Sequence, residues 1–556
     1  MHGWLKIRTA ITTIGIAMSG AAYPAIASAG PAVEVTASLE EDAAAEVLNA
    51  IRPGGEGAPY WNAFARGFMY RPVIGFPSVE GATNYVFTVL DDYQRVTTFA
   101  AKEPRAEFSE KLWKEMPVGY FTVRAVAETA AGAREVDSRR YWKLAAFKPG
   151  AYPVPSVPYR EAARRAYDYA FEFGWLQTFL RTGKPDPSYN LNCYPSKMHS
   201  SLIHAMVRYA KIRPDRREEA LKLARIAADY LLSVSEGPDR PLAWFPPTYA
   251  AEPEYRKITA VKYEGQTMIL YPAEAACAFF DLFRATGEEK YRTAGANIAR
   301  TFVKLQGEDG TWPLKLYLKD GKPVVPNHVF PVTIVTMLET AYAVTGIADF
   351  RAAADRAFAY LDRHSFAEFD WEGQFEDVRP MGRYEDLSHH PACDAAILVL
   401  GRFPDDSSRR WQARECVRFA EDQFVCWEVP ARGRGRDLHG IRTDDACYSF
   451  NKNYHEWVTT PAVVEQYAYT APVDASVAKM VLTYLAMYKA ERRPLDLAKA
   501  KAMADALVRA QQPSGRIPTI WTKPDLANIQ SDWVNCLFAS ARALSDIADI
   551  MDTEAK

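Results

Sequence analysis

Two phrases, residues 284–292 (RATGEEKYR) and 343–351 (AVTGIADFR), decide how this chain is read. Each sets a Thr-Gly pair between two runs in which apolar residues recur every three or four positions, the period of a helix buried on one face. Glycine just past the last periodic residue is a stop signal. Each phrase therefore predicts two helices joined by a very short turn. Outward from them, the same period predicts helices over 159–181, 198–212, 216–235, 267–286, 288–306, 331–345, 348–364, 391–403, 407–425, 474–490, 494–512 and 531–552. The connections alternate. Short ones fall at 213–214, 287, 346–347, 404–406 and 491–493. The others run from about 15 to nearly 50 residues, unusual in a compact domain unless they serve a function.

A helical hairpin followed by a long loop, repeated, is an internal repeat. Six hairpins can close into a ring with one helix of each pair inside, the first helix pairing with the last. Twelve helices with this alternation resemble the (α/α)6 barrel, or six-hairpin toroid. An open solenoid of the same hairpins is the alternative. The resemblance implies a fold that hosts glycoside hydrolases and polysaccharide lyases. It also implies that the long loops gather on one face, at the starts of the inner helices.

The chain before residue 159 reads differently. Lys6 and Arg8, the apolar run 10–22 and the small-x-small site Ala27-Ser28-Ala29 predict an export signal over 1–29. The expected location is periplasmic or secreted. A polar extension over 30–69 follows. From 70 to 148 the period becomes two: Tyr85, Phe87 and Val89 alternate with Val86, Thr88 and Leu90, and Gly, Pro and Asp clusters separate the runs. This predicts a small antiparallel β-sandwich. The phrases ATNYVFTV (82–89) and GYFTVRAVAE (119–128) resemble strands of fibronectin type III modules. Residues 149–158 (PGAYPVPSVP) read as a stiff linker, and 159–553 as the barrel.

A net charge of -2 gives no reason to expect nucleic acid. After the leader no stretch is long and apolar enough to predict membrane insertion. Seven scattered cysteines leave at least one unpaired; Cys416 and Cys426 are the pair that could bridge. There is no GxGxxG, P-loop or GxSxG, so no cofactor is expected. His389-His390 has no zinc-ligand spacing around it, so no metal is expected.

The chemistry concentrates in 370–390 (DWEGQFEDVRPMGRYEDLSHH), where acids, cations, an indole and two imidazoles share a stretch with no clean period. A saccharide site needs carboxylates for proton transfer, aromatics to stack on pyranose faces, and amides or guanidinium groups for hydroxyls. Adjacent Glu376 and Asp377 suit a pair in which one carboxyl raises the other's pKa. Glu264, just before an inner helix, is the first choice of partner, and Glu465 another. The remaining loops offer Asn190, Asn192, Trp244, Tyr263, Gln266, Trp312, Trp371, Gln374, Tyr384, Trp457 and Trp521 for binding. Arg379, Arg383 and Arg442 suit a uronate carboxylate, or equally the neutralisation of nearby acids.

The phrases WEGQFEDV (371–378) and VVEQYAY (463–469) loosely resemble an (α/α)6 family containing β-glucuronidases. That resemblance implies hydrolysis of an acidic, uronate-containing glycan. A polysaccharide lyase is the runner-up. It would neutralise a uronate with Asn190, Asn192 or Arg442 and abstract a proton with Tyr454 or His455. A non-catalytic glycan-binding protein and a sugar epimerase on the same toroid are the other readings.

Overall fold

The Thr-Gly turns fold as tightly as their sequence predicts. α8 (Leu270–Thr286) ends on Gly287 and α10 (Val332–Thr345) on Gly346, both left-handed at φ 74°. The preceding threonine does two jobs. Its hydroxyl donates back into the helix, Thr286 to the Leu282 carbonyl at 2.8 Å and Thr345 to the Ala341 carbonyl at 2.7 Å. It also accepts the N–H two residues on, Glu288 or Ile347, at 3.3 Å. The next helix therefore starts at once and must run antiparallel. A Cβ on Gly346 would touch nothing within 4 Å. Gly346→Ala is thus expected to cost about 1–2 kcal/mol through backbone conformation alone, read as a shift in a urea denaturation midpoint.

The computed structural model describes residues 36–51, 64–65, 67–377, 382–428, 458–467, 469–521 and 532–554. The inner helices are α5 (Pro195–Ile212), α8, α10, α13 (His389–Arg402), α15 (Asp474–Glu491) and α17 (Val534–Glu554). Each packs on the next, and α17 packs back on α5, so the ring is closed. Their hairpin partners outside are α6 (Arg217–Val234), α9 (Glu289–Leu305), α11 (Ala348–Arg363), α14 (Ser407–Phe424) and α16 (Pro494–Ala510). α3 (Tyr159–Phe171), the first barrel helix, pairs with α17, the last. This is the expected (α/α)6 toroid. The long connections all precede inner helices, and the described residues of several of them meet at the N-terminal ends of those helices.

One expected helix is broken. Residues 159–181 form α3 and α4 (Gly174–Thr182), because Phe173 turns out to stack on Trp175 at 4.7 Å and Trp175 on Tyr189 at 3.9 Å. The Gln177 amide donates to the freed Phe171 carbonyl at 2.6 Å.

Before the barrel lies a five-stranded sheet in the order β1-β7-β6-β3-β4. Its strands are β1 (Gly67–Phe68), β3 (Ala82–Asp91), β4 (Val96–Ala101), β6 (Gly119–Thr129) and β7 (Gly132–Lys143). β2 (Val73–Gly75) and β5 (Arg105–Glu107) form a second, two-stranded sheet. Tyr85, Phe87 and Val89 are buried, as their alternation requires, and Phe87 packs on Phe76 and Phe99.

This unit is joined to the barrel through buried polar groups. The Asp422 carboxylate on α14 accepts the N–H groups of Met69 at 2.6 Å and Tyr70 at 2.7 Å. Arg418 donates to the carbonyls of Asn49 and Ala50. Ahead of them, α1 (Ala37–Glu46) packs on α16 and sends Glu46 to Lys499. Cys416 and Cys426 are both free and buried, so they form no bridge. No helix among the described residues is long and apolar enough to cross a membrane.

Candidate active site

The inner helices open at their N-terminal ends onto a cavity of about 230 Å³. The 370–390 connection folds back over it. Glu372 bridges Leu387, the Gly373 N–H donates to the Asp386 carbonyl at 2.7 Å, and Ser388 N–H to the Trp371 carbonyl at 2.9 Å. What pins this loop is its own aromatic anchor. Trp371 is fully buried against Phe330, Phe366 and Phe369.

Glu376 sits beside the cavity, buried and clamped. One oxygen accepts from Lys197 at 2.6 Å, the other from the Tyr271 hydroxyl, and the Tyr249 hydroxyl donates to its backbone carbonyl at 2.7 Å. Burial pushes its carboxyl up, but Lys197 and Tyr271 outweigh burial and hold it below the ordinary range. Lys197 in turn stays charged. Burial pulls its ammonium down, and the Glu376 charge more than restores it. Asp377, next in the chain, faces solvent in a recess. The enclosing protein first, then the charge of Glu376, push its carboxyl up.

Two other carboxyls front the cavity itself. Glu274 on α8 is pushed up to about 7 by burial and by Glu376, against the pull of Lys197. Glu465 is pushed up to about 8 by burial, with Lys197 opposing and Asp377 and Glu376 adding. Glu465 lies on β11 (Ala462–Gln466), which pairs with β10 (Val425–Cys426) and β12 (Tyr469–Pro472). Its carbonyl accepts from Ser388 at 2.8 Å and from His389 Nδ1 at 3.1 Å. His390 Nε2 is 3.9 Å from the Glu465 carboxyl. Burial holds both imidazoles far below their usual range, so they are neutral. Asp394 and Lys479 face the same cavity as an ion pair at 2.5 Å. Phe330, Phe375 and Trp533 supply its aromatic wall.

Several expected site residues lie elsewhere. Glu264 is on the surface, its side chain 68% exposed and paired with Arg256 at 2.5 Å, because the short helix α7 (Ile258–Lys262) and the Gly265 turn carry it outward. Trp312 and Trp521 are buried with indole N–H groups committed to the Phe302 and Pro518 carbonyls, and Trp371 is the loop anchor. None of the three presents a face to a ligand. Asn192 is buried on the Asp186 carbonyl, and Asn190 is exposed on the same short turn, outside the cavity. Tyr384 is buried and donates to the Glu368 carbonyl; Arg383 pairs with Glu368 at 2.7 Å rather than facing a ligand. Trp244 is partly exposed but away from the cavity, Tyr263 is buried under Lys315, and Gln266 pairs with Tyr317 at a strand edge. Gln374 does line the cavity, though its amide is engaged by His328 and Phe330 backbone groups. Arg379, Arg442, Tyr454, His455 and Trp457 lie outside the described residues, as does the expected export signal.

A second cavity, of about 900 Å³, opens among the C-terminal ends of α5, α8 and α17. Its cations are largely matched by acids, as in Arg208–Asp546 and Arg164–Glu161, and helix C-termini favour cations in any case.

No family model matches the chain, and no curated protein matches it. Solved structures do. Cellobiose 2-epimerase from Spirochaeta thermophila aligns with a TM-score of 0.47 and 13% identity, over 71% of this chain and 98% of that one. An unsaturated glucuronyl hydrolase specific for heparin aligns at 0.45 and 10%, over 70% and 98%. A family 76 glycoside hydrolase from a bovine Bacteroides thetaiotaomicron strain aligns at 0.43 and 10%, over 86% and 94%. At such identities the chemistry has to be read from this chain's own residues.

Proposed function

We propose that this chain is a carbohydrate-active enzyme that hydrolyses glycosidic bonds. One observation carries the reading. A single cavity is fronted by two carboxyls that burial raises toward neutral pH, Glu465 to about 8 and Glu274 to about 7. Glycoside hydrolysis needs a carboxyl still protonated at working pH to protonate the departing oxygen, and a carboxylate to act from the other side. Glu465 is the proton donor in this reading. Asp377, open to water, is the carboxylate that activates it. Glu376 has both oxygens occupied, so it is a positioning residue for Lys197 and Tyr271.

The acidic-glycan reading stays with Arg379 and Arg442. The lysines that front the cavity do not supply it, because Lys197 and Lys479 each face a carboxylate. Export over 1–29, the β-glucuronidase likeness and a fibronectin-type N-terminal unit belong to the same proposal.

The test is a product assay on a panel of uronate-containing oligosaccharides and aryl glycosides. The expected result is new reducing ends with no ultraviolet-absorbing unsaturated uronate. An unsaturated product would replace hydrolysis by β-elimination, and binding without turnover would make the chain a glycan-binding protein.

A further inference from the structure

We propose that the innermost position of the cavity takes an uncharged pyranose ring, and that the Asp394–Lys479 pair selects against a ring bearing a carboxylate. This deepens the hydrolase reading and rests on it for the word substrate, but not for binding.

The floor is set by helix geometry. Asp394 is the sixth residue of α13, Lys479 the sixth of α15 and Glu274 the fifth of α8. At 1.5 Å per residue each lies roughly 6–8 Å below its helix start. Asp394 and Lys479 keep 35% and 23% of their side chains exposed although they sit on the inner ring, because the space they face is the cavity. At about 230 Å³ that space holds on the order of eight waters, room for one sugar ring rather than two.

Charge then decides what kind of ring. Two lysines line the cavity, and each is matched, Lys197 by Glu376 at 2.6 Å and Lys479 by Asp394 at 2.5 Å. Glu274 and Glu465 line it with no lysine or arginine within ion-pair distance among the described residues. Neither cation is left over to meet a further anion. A uronate at the floor would have to share Lys479 with Asp394, or displace Asp394. Hydroxyls have no such conflict. They can donate to Asp394 and Glu274 and accept from Lys479, and the ring's apolar face has Phe330, Phe375 and Trp533 to stack on.

The test is calorimetric binding to the whole protein, with methyl glucoside, galactoside and mannoside each set against its uronide. The wild-type protein should bind at least one neutral methyl pyranoside tenfold or more tighter than its uronide. Asp394→Asn releases the Lys479 charge and should narrow that ratio by tenfold or more or reverse it, with circular dichroism unchanged. Lys479→Met should weaken neutral binding without restoring uronide binding. A uronide preference in the wild type, no binding of any neutral pyranoside, or an unchanged ratio in Asp394→Asn overturns the proposal. Selective binding with no cleavage of any glycoside would instead leave the floor as proposed and defeat the hydrolase reading.

Discussion

Replacing Glu465 by Gln should lower kcat by about a thousandfold on glycosides with poor leaving groups, within the range that general-acid catalysis contributes, and leave KM nearly unchanged. The substitution preserves shape. β11 fixes the backbone, and Ser388 and His389 hold the Glu465 carbonyl, so neither depends on the carboxyl. What disappears is the transferable proton. Glutamine can still donate a hydrogen bond, but it cannot protonate a departing oxygen. Aryl glycosides with acidic phenols need less protonation, so their loss should be much smaller, and that contrast separates a missing acid from a damaged fold. The pH profile gives a second reading. A general acid works only while protonated, so the wild-type rate should fall as pH rises through about 8, where burial has pushed Glu465. Glu465→Gln should lose that limb. Equal activity of Glu465→Gln on both substrate classes would remove the assignment, with Glu274 the next carboxyl to test.

The barrel was legible because its signals are redundant. Every expected helix carries its own apolar period, and Thr286-Gly287 and Thr345-Gly346 reveal the hairpin turns within a few residues. The site was legible only in part, for a physical reason. Many of the charges that face the cavity sit on the inner helices as single charges in apolar runs: Glu274 in YPAEAACAFF, Asp394 in PACDAAILVL and Lys479 in ASVAKMVLTY. Burial of a lone charge is costly unless it is paired or faces a cavity, so such residues were the available signal. The tryptophans of the loops are the more conspicuous signal in the sequence, but they have another reason to be there. A long connection must anchor itself, and Trp312, Trp371 and Trp521 do that by being buried. Glu376 lies in the acid-rich stretch 370–390, but its neighbours Lys197 and Tyr271 come from helices distant in sequence. No spacing rule could show that both of its oxygens are already taken.

Lys499→Met should destabilise the protein by about 3–5 kcal/mol, the usual consequence of removing one partner from a buried ion pair. The Lys499 side chain is only 2% exposed and lies between Glu46 of α1 and Glu421 of α14, the latter at 2.7 Å. Glu421 also accepts from the Tyr70 hydroxyl and the Trp427 indole, so strand entry, linker face and barrel wall converge on one ammonium. Methionine fills similar space and leaves Glu46 and Glu421 without the ammonium between them, with Arg493 at 3.2 Å the remaining direct partner of Glu46 and Arg414 farther off. The pH dependence carries the sharper test. Burial pushes the Glu46 carboxyl up, but Lys499 and Arg493 outweigh it and hold it down at about 2, below its ordinary 4.5. A folded-state pKa below the unfolded one contributes stability that is present above pH 4.5 and is lost as pH falls toward 2. Without Lys499 the largest of the opposing charges is gone, so burial raises Glu46 relative to the wild type and protonating it costs the fold less. The gap between wild type and variant in urea midpoints should therefore be widest near pH 7 and shrink steadily toward pH 3. Glu46→Gln combined with Lys499→Met should recover part of the loss at pH 7. A gap that does not change with pH would mean that lost packing, and not the uncovered carboxylates, explains the effect.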